Sequence, residues 1–136
     1  MTHQQDDAFN LWISGKTFMV IEDVTSSRML EAGLLRSLGA HKVLIATDGN
    51  DAVTKLSAVE HAPDIIICDW IMPGMDGIGV LEMAKARYPT IKFVMLTAKS
   101  DAADMELAKS KGVDDYIVKP FSRDTLMAAL KRLSAD

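Results

Sequence analysis

The chain has 136 residues and a formal net charge of −4, with 49% hydrophobic and 25% charged residues, which fits one soluble globular domain with a single sizeable core. No run of Lys or Arg could track a phosphate backbone, and no apolar stretch approaches the roughly 20 residues that a membrane span requires, so neither DNA nor a membrane is an expected partner. The single cysteine, Cys68, excludes an internal disulfide, and the N-terminus lacks the charged-then-apolar order of a signal peptide, so a cytoplasmic location is expected.

Residues 1–15 stand apart as an N-terminal extension to a domain over 16–136. Met1 to Asp7 is polar and is expected to fray. Phe9, Leu11, Trp12 and Ile13 are bulky and close together. They read either as a short arm packed on the domain's own surface or as a docking segment for a partner.

Phe18-Met19-Val20-Ile21 reads as a first buried strand that runs into the acidic pair Glu22-Asp23. Thr25 or Ser26 is placed to cap a helix with Leu30, Leu34 and Leu38 at helical spacing and Leu35 beside them, stopped by Gly39. Val43 to Ala46 is a second strand. Asp48-Gly49-Asn50-Asp51 opens a second helix through Ala52, Val53, Leu56 and Val59, which ends before Pro63. Ile65-Ile66-Ile67-Cys68 is apolar on both faces and rich in β-branched residues, as in a parallel strand covered by helices. It runs directly into Asp69 and a Pro/Gly turn.

Gly77 to Arg87 forms a third helix with Ile78, Val80, Leu81 and Met83 toward the sheet, and Pro89 breaks it. Lys92 to Leu96 is a fourth strand ending at Thr97. Asp101 to Lys111 is a fourth helix anchored by Met105, Leu107 and Ala108 and stopped by Gly112. Tyr116 to Val118 is a short fifth strand ending at Lys119-Pro120. Ser122 caps a last helix carrying Leu126, Met127, Leu130 and Leu133.

Five strands alternating with five helices imply βαβ units, whose right-handed crossovers give an α/β fold with a parallel sheet and helices on both faces. Ligands of such sheets bind at the carboxyl edge. The residues ending the strands there are Glu22-Asp23, Asp69, Thr97 and Lys119. Two like charges about 4 Å apart repel by roughly 4 kcal/mol at an effective dielectric of about 20. One ammonium does not neutralise three carboxylates, whereas a divalent cation would. An oxygen-only donor set without His or Cys selects Mg²⁺ or Mn²⁺ over zinc, and magnesium usually shares its site with a phosphoryl group. Cys68, inside the Ile-rich run, reads as an inert core thiol.

These residues, together with Met72-Pro73-Gly74-Met75-Asp76-Gly77, Thr97-Ala98 and Gly112-Val113-Asp114-Asp115-Tyr116-Ile117-Val118-Lys119-Pro120-Phe121, resemble the CheY-like receiver domain of two-component response regulators. The resemblance runs from Thr17 to Leu133 and is to the single-domain type. It implies a flavodoxin-like three-layer fold with strand order 2-1-3-4-5 and a cis Lys119–Pro120 bond. It also implies a chemotaxis-like phosphoacceptor switch. Asp69 would take a phosphoryl group from a sensor histidine kinase or a histidine phosphotransfer protein. Asp23 and Asp69 would bind Mg²⁺ with the backbone carbonyl of Ile71, and Glu22 directly or through water; Mn²⁺ could substitute. Lys119, the Thr97 hydroxyl and the Ala98 N–H would hold phosphoryl oxygens. Thr97 and Tyr116 would carry the change to the face made by the fourth predicted helix, the fifth strand and the last helix, with Tyr116 turning from exposed to buried.

By the same resemblance Ile71 and Lys99 tune hydrolysis. Ile71 cannot hydrogen-bond an attacking water and Lys99 is long enough to reach over the anion, so a long-lived phosphorylated state is expected. Trp70 reads as a packing residue of the loop, or as a kinase-facing contact or lid. Asp114 and Asp115 fit the acidic side of a dimer contact, but Thr125 and Ala129 stand where an acid and an arginine would be needed, so a monomer is expected. No output domain is expected after residue 136, and output by phosphorylation-dependent binding of a protein effector is expected. The rival readings are a phosphate sink for a kinase, a phosphorylation-independent adaptor, and a metal-dependent phosphatase with an Asp nucleophile. The last needs a second Asp where Ile71 stands. Any catalysis would be confined to Asp69 of the chain itself.

Overall fold

The apolar runs form a five-stranded, all-parallel sheet in the order β2-β1-β3-β4-β5. The computed structural model describes residues 2–58, 60 and 62–135. The strands are β1 (Thr17–Ile21), β2 (Lys42–Ala46), β3 (Ile65–Cys68), β4 (Lys92–Thr97) and β5 (Asp115–Val118). The helices are α1 (Thr2–Ser14), α2 (Thr25–Leu38), α3 (Gly49–Ala58), α4 (Gly77–Arg87), α5 (Ala102–Ser110) and α6 (Arg123–Ser134). Helices α2 to α6 are the five expected from the sequence.

Side chains alternate across a strand, so each strand feeds two cores. Met19, Ile21, Ile66, Cys68, Phe93 and Met95 meet Leu56 of α3, Leu81 of α4 and Ala108 of α5. Phe18, Val20, Ile65, Ile67, Val94 and Leu96 meet Leu35 of α2 and Leu126, Leu130 and Leu133 of α6. β3 lies in the middle and is buried on both faces, which is why its run has no polar residue.

The N-terminal extension departs from the expected frayed arm. It is helical from Thr2, with Phe9 and Ile13 buried in the α2–α6 core and Leu11 exposed. Lys131 Nζ lies 5.7 Å from the Phe9 ring centroid, and Lys16 Nζ the same distance from that of Trp12. Phe9 and Ile13 therefore serve this chain's own surface.

Three further details differ from the sequence reading. The N-cap of α2 is Val24, with no side-chain cap, so Thr25 and Ser26 lie inside the first turn. Leu30 is exposed and Glu31 is buried, because the inward face of α2 runs through Glu31, Ala32, Leu35 and Leu38. On α5 only Ala108 is buried, while Met105 and Leu107 are exposed. Val59, expected in α3, lies outside the described residues. Gly39 ends α2 at φ 106 and Ser122 Oγ caps α6 by accepting from Thr125 N at 3.1 Å, both as expected.

Ile13 is fully buried whereas Leu11 is 77% exposed on the same helix. Ile13→Ala is expected to cost about 2–4 kcal/mol, and Leu11→Ala to stay within about 0.5 kcal/mol, in urea unfolding. Equal effects at the two positions would contradict the docking of α1.

Candidate functional site

Strand register assembles the carboxyl edge of the sheet. Ile21 pairs with Cys68, and the ladder continues one residue further, with Asp69 N donating to Ile21 O at 3.0 Å. Across the sheet Thr97 pairs with Val118, and Lys119 N donates to Thr97 O at 2.8 Å. The residues after β1, β3 and β5 are thereby fixed by backbone bonds that adjoin the core.

Glu22, Asp23 and Asp69 each present a carboxylate oxygen, all within 4.8 Å of one another. Glu22 is fully buried and Asp23 is half-buried. Lys119 reaches into this group: its Nζ lies 2.5 Å from Glu22 Oε1 and 3.2 Å from Asp69 Oδ2. Burial works against the ammonium, but the hydrogen bond to Glu22 and the charge of Asp69 outweigh it and hold its pKa above the ordinary lysine value.

Asp69 is oriented by its own loop. Its Oδ1 accepts from Trp70 N at 2.7 Å and Ile71 N at 3.4 Å, which leaves Oδ2 toward Lys119. The loop then folds back so that Gly77 N donates to Trp70 O at 2.8 Å. A Cβ on Gly77 would stand 2.5 Å from Asp69 O and 2.8 Å from Trp70 Cα, so only glycine lets α4 begin this close to the acidic group. Asp76 Oδ1 caps that helix by accepting from Gly79 N at 3.0 Å.

The other strand-end residues lie at the same carboxyl edge of the sheet. Thr97 is fully buried at the end of β4, and its Oγ1 accepts from Lys99 N at 3.4 Å. Ala98 lines a groove of about 390 Å³ together with Lys119, Glu31 and Phe121. Tyr116 is turned inward: its hydroxyl donates to Lys99 O at 2.8 Å and its ring meets Trp70 edge-on at 6.4 Å. Burial raises the pKa of that hydroxyl, with nearby Asp104 adding to the effect, so it remains a donor. Trp70 is 5% exposed, which favours the packing role. Lys99 is engaged by two neighbours. Its Nζ lies over the Trp70 ring at 5.0 Å and 3.7 Å from Asp104 Oδ2. Ile71 is 62% exposed, so its side chain fills no part of the core.

The Response regulator receiver domain family matches residues 18–131. The chain belongs to that family. It is 36% identical over 121 residues to "Probable transcriptional regulator ycf27" of Cyanophora paradoxa, covering 89% of this chain but 49% of that one, so the chain spans about half the length of that relative. Among solved structures it is similar to the chemotaxis protein CheY4 of Vibrio cholerae, with a TM-score of 0.78, 28% identity and coverage of 87% and 98% of the two chains. It is also similar to the receiver domain of a signal transduction histidine kinase from Syntrophus aciditrophicus, with a TM-score of 0.77, 30% identity and coverage of 89% and 91%. A third neighbour is the BeF3-activated DrrB receiver domain, with a TM-score of 0.79, 25% identity and coverage of 90% and 99%. The sheet order and the cis Lys119–Pro120 bond agree with the family expectation.

This receiver has one carboxyl group that the sequence reading missed. Glu31 on α2 is 3% exposed, its Oε2 lies 3.9 Å from Lys119 Nζ, and that oxygen has no hydrogen-bond partner. Burial first, then the charge of Glu22, push its pKa up to about 8. The sequence held a signal: Leu35 and Leu38 define the buried face, and one helical turn before Leu35 that face reaches Glu31, beside the acidic pair.

The donor set fits a hard divalent cation. Three clustered carboxylates offer oxygen only, and among the described residues neither His nor Cys joins them. Cys68 is buried and its thiol pKa is pushed well up by that burial and by Asp69, so it is no competing ligand.

The proton on Glu31 has a consequence for stability. Its folded-state pKa of about 8 lies above the ordinary 4.5, so the folded chain holds this proton more tightly than the unfolded one. The associated stability is complete below the unfolded value and is lost as pH rises through about 8. In urea unfolding with EDTA, Glu31→Leu is expected to gain on the parent as pH is raised from about 5 to about 8. A difference that does not widen with pH would contradict the assignment.

Proposed function

We propose that this receiver is a phosphoacceptor signalling switch whose acceptor is Asp69. The observation that carries the reading is Asp69 Oδ2 at 3.2 Å from Lys119 Nζ, in a cluster where Glu22, Asp23 and Asp69 offer oxygens within 4.8 Å. In the proposed step an Asp69 carboxylate oxygen attacks phosphorus of a phosphohistidine on a histidine kinase or phosphotransfer protein. A P–O bond forms, the P–N bond breaks, and the imidazole leaves with its electron pair. The product is an acyl phosphate on Asp69.

Positioning and charge neutralisation are most of what such a transfer needs. Glu22, Asp23 and Asp69, with the backbone carbonyl of Ile71, are the groups that would hold Mg²⁺ or Mn²⁺, which would supply positive charge to the carboxylates and the phosphoryl oxygens. Lys119 pairs with one phosphoryl oxygen. The Thr97 hydroxyl and the Ala98 N–H donate to another, and the bond between Thr97 Oγ1 and Lys99 N is the one this donation perturbs.

That coupling supplies the output. Thr97, Lys99 and Tyr116 form a chain of contacts from the end of β4 to β5, and in the proposed switch it carries the change to the face of α5, β5 and α6. Exposed Met105 and Leu107 on α5 are available there for a protein effector. Asp114 is held by Lys85 at 2.7 Å, and Asp115 by Arg132 Nε at 2.9 Å. Both acids are therefore engaged within the chain, which supports a monomer over a salt-bridged dimer. Among the described residues no helix is long and apolar enough to cross a membrane, which is compatible with action in the cytoplasm.

Incubation with acetyl phosphate and Mg²⁺ is expected to add the mass of one phosphoryl group to the parent and none to Asp69→Ala, read by mass spectrometry. Labelling of both proteins, or of neither, would refute the assignment of Asp69. Ile71→Asn, which introduces a side chain able to hold water, is expected to shorten the half-life of the labelled form about tenfold, less than the roughly hundredfold or more of a true general base because an amide orients water without taking its proton. An unchanged half-life would show that Ile71 does not set the lifetime.

A further inference from the structure

Glu31 takes no part in the phosphoryl chemistry just described, yet its environment is demanding. Among the described residues it holds the one buried side-chain oxygen without a hydrogen-bond partner. A buried acceptor left unpaired is destabilising, and the adjoining positions on the inward face of α2 are Ala32, Leu35 and Leu38. An aliphatic residue would continue that face without cost. The carboxyl group instead directs Oε2 at Lys119 Nζ, at 3.9 Å, beyond hydrogen-bond length.

Lys119 is able to close that gap. Its side chain is 22% exposed and borders the groove that Glu31 and Ala98 also line, so neighbouring atoms do not fix its ammonium on every side. An ammonium has three N–H groups. Two acceptors already engage it, Glu22 Oε1 at 2.5 Å and Asp69 Oδ2 at 3.2 Å. About 1 Å of movement would bring Glu31 Oε2 to charge-assisted hydrogen-bond distance.

We propose that Glu31 is a positioning residue for Lys119, an acceptor on α2 that competes with the phosphoryl group for the ammonium. The inference rests on the phosphoacceptor reading of Asp69. When Glu22 turns toward a cation, Lys119 loses its shortest partner and moves to Glu31, which satisfies the buried oxygen. A phosphoryl oxygen on Asp69 draws the ammonium the other way and leaves Glu31 unpaired again. Glu31 therefore favours the cation-loaded pocket and opposes the phosphoryl-loaded one. Protonated, the carboxyl group still presents its carbonyl oxygen as an acceptor, and ionised it attracts the ammonium more strongly, so the direction of the competition is the same in both forms.

The test uses Glu31→Leu, which removes the acceptor, and Glu31→Gln, which keeps an amide carbonyl in the same volume. Binding of Mg²⁺ alone and of beryllofluoride at saturating Mg²⁺ is measured by calorimetry for the parent, both variants and each in a Lys119→Met background. Glu31→Leu is expected to bind Mg²⁺ more weakly and beryllofluoride roughly fivefold more tightly, about one hydrogen bond's worth. Glu31→Gln is expected to lie between it and the parent. Both shifts should vanish in the Lys119→Met background, which separates an effect through Lys119 from a general change of charge. In EDTA the Lys119 Hε/Cε resonances are expected to move in Glu31→Leu. Unchanged beryllofluoride affinity, shifts that persist without Lys119, or an unmoved Lys119 resonance would each overturn the proposal. A parent that takes no beryllofluoride would refute the phosphoacceptor reading, while the Lys119 resonance would still judge whether Glu31 positions the ammonium.

Discussion

The contact between the Lys119 ammonium and the carboxylates of Glu22 and Asp69 organises this molecule. These residues stand 97 and 50 positions apart from Lys119 in sequence, at the ends of β5, β1 and β3. Carboxylates crowded to this degree repel one another by several kcal/mol at protein dielectric, of order 4 kcal/mol per close pair. One cation offsets only part of that repulsion. The pocket is therefore poised between its own lysine and any further positive charge, and that imbalance is what the proposed phosphoacceptor role requires.

The sheet makes the crowding possible. Parallel pairing places the carboxyl ends of all the strands on one edge, and backbone bonds of Asp69 and Lys119 to the neighbouring strands extend the register past the regular ladder. Two apolar cores behind that edge hold the register, since a one-residue slip of β3 in one direction would bring Asp69 into the buried place of Cys68. Gly77 then allows α4 to start against the loop that follows β3. Fold and site are thus one construction.

Much of this was legible from residue order. Strong patterns, such as the Ile-rich run before Asp69 or Ser122 before Leu126, gave strands, caps and strand-end residues close to where they lie. The failures have physical causes. Leu30 and Glu31 exchange their expected environments because helical phase on α2 is set by Leu35 and Leu38, while leucine alone is a poor guide to which face is buried. Thr25 and Ser26 do not cap α2, because Glu22 Oε2 takes the Val24 N–H at 3.1 Å and Arg28 Nη1 donates to Glu22 O at 2.8 Å. The acidic pair thereby organises the start of the helix itself. The helicity of the first residues was also hidden, since α1 gains its stability from Phe9 and Ile13 docking on α6 and α2 rather than from its polar start.

The central claim is that the acidic edge is electrostatically incomplete and that Asp69 is part of what makes it so. Its most direct measurement is the melting temperature of the parent and of Asp69→Ala, each with EDTA and with Mg²⁺. A large rise with Mg²⁺ in the parent and little or none in Asp69→Ala is the predicted result. Equal shifts in the two proteins, or no shift in either, would contradict the account.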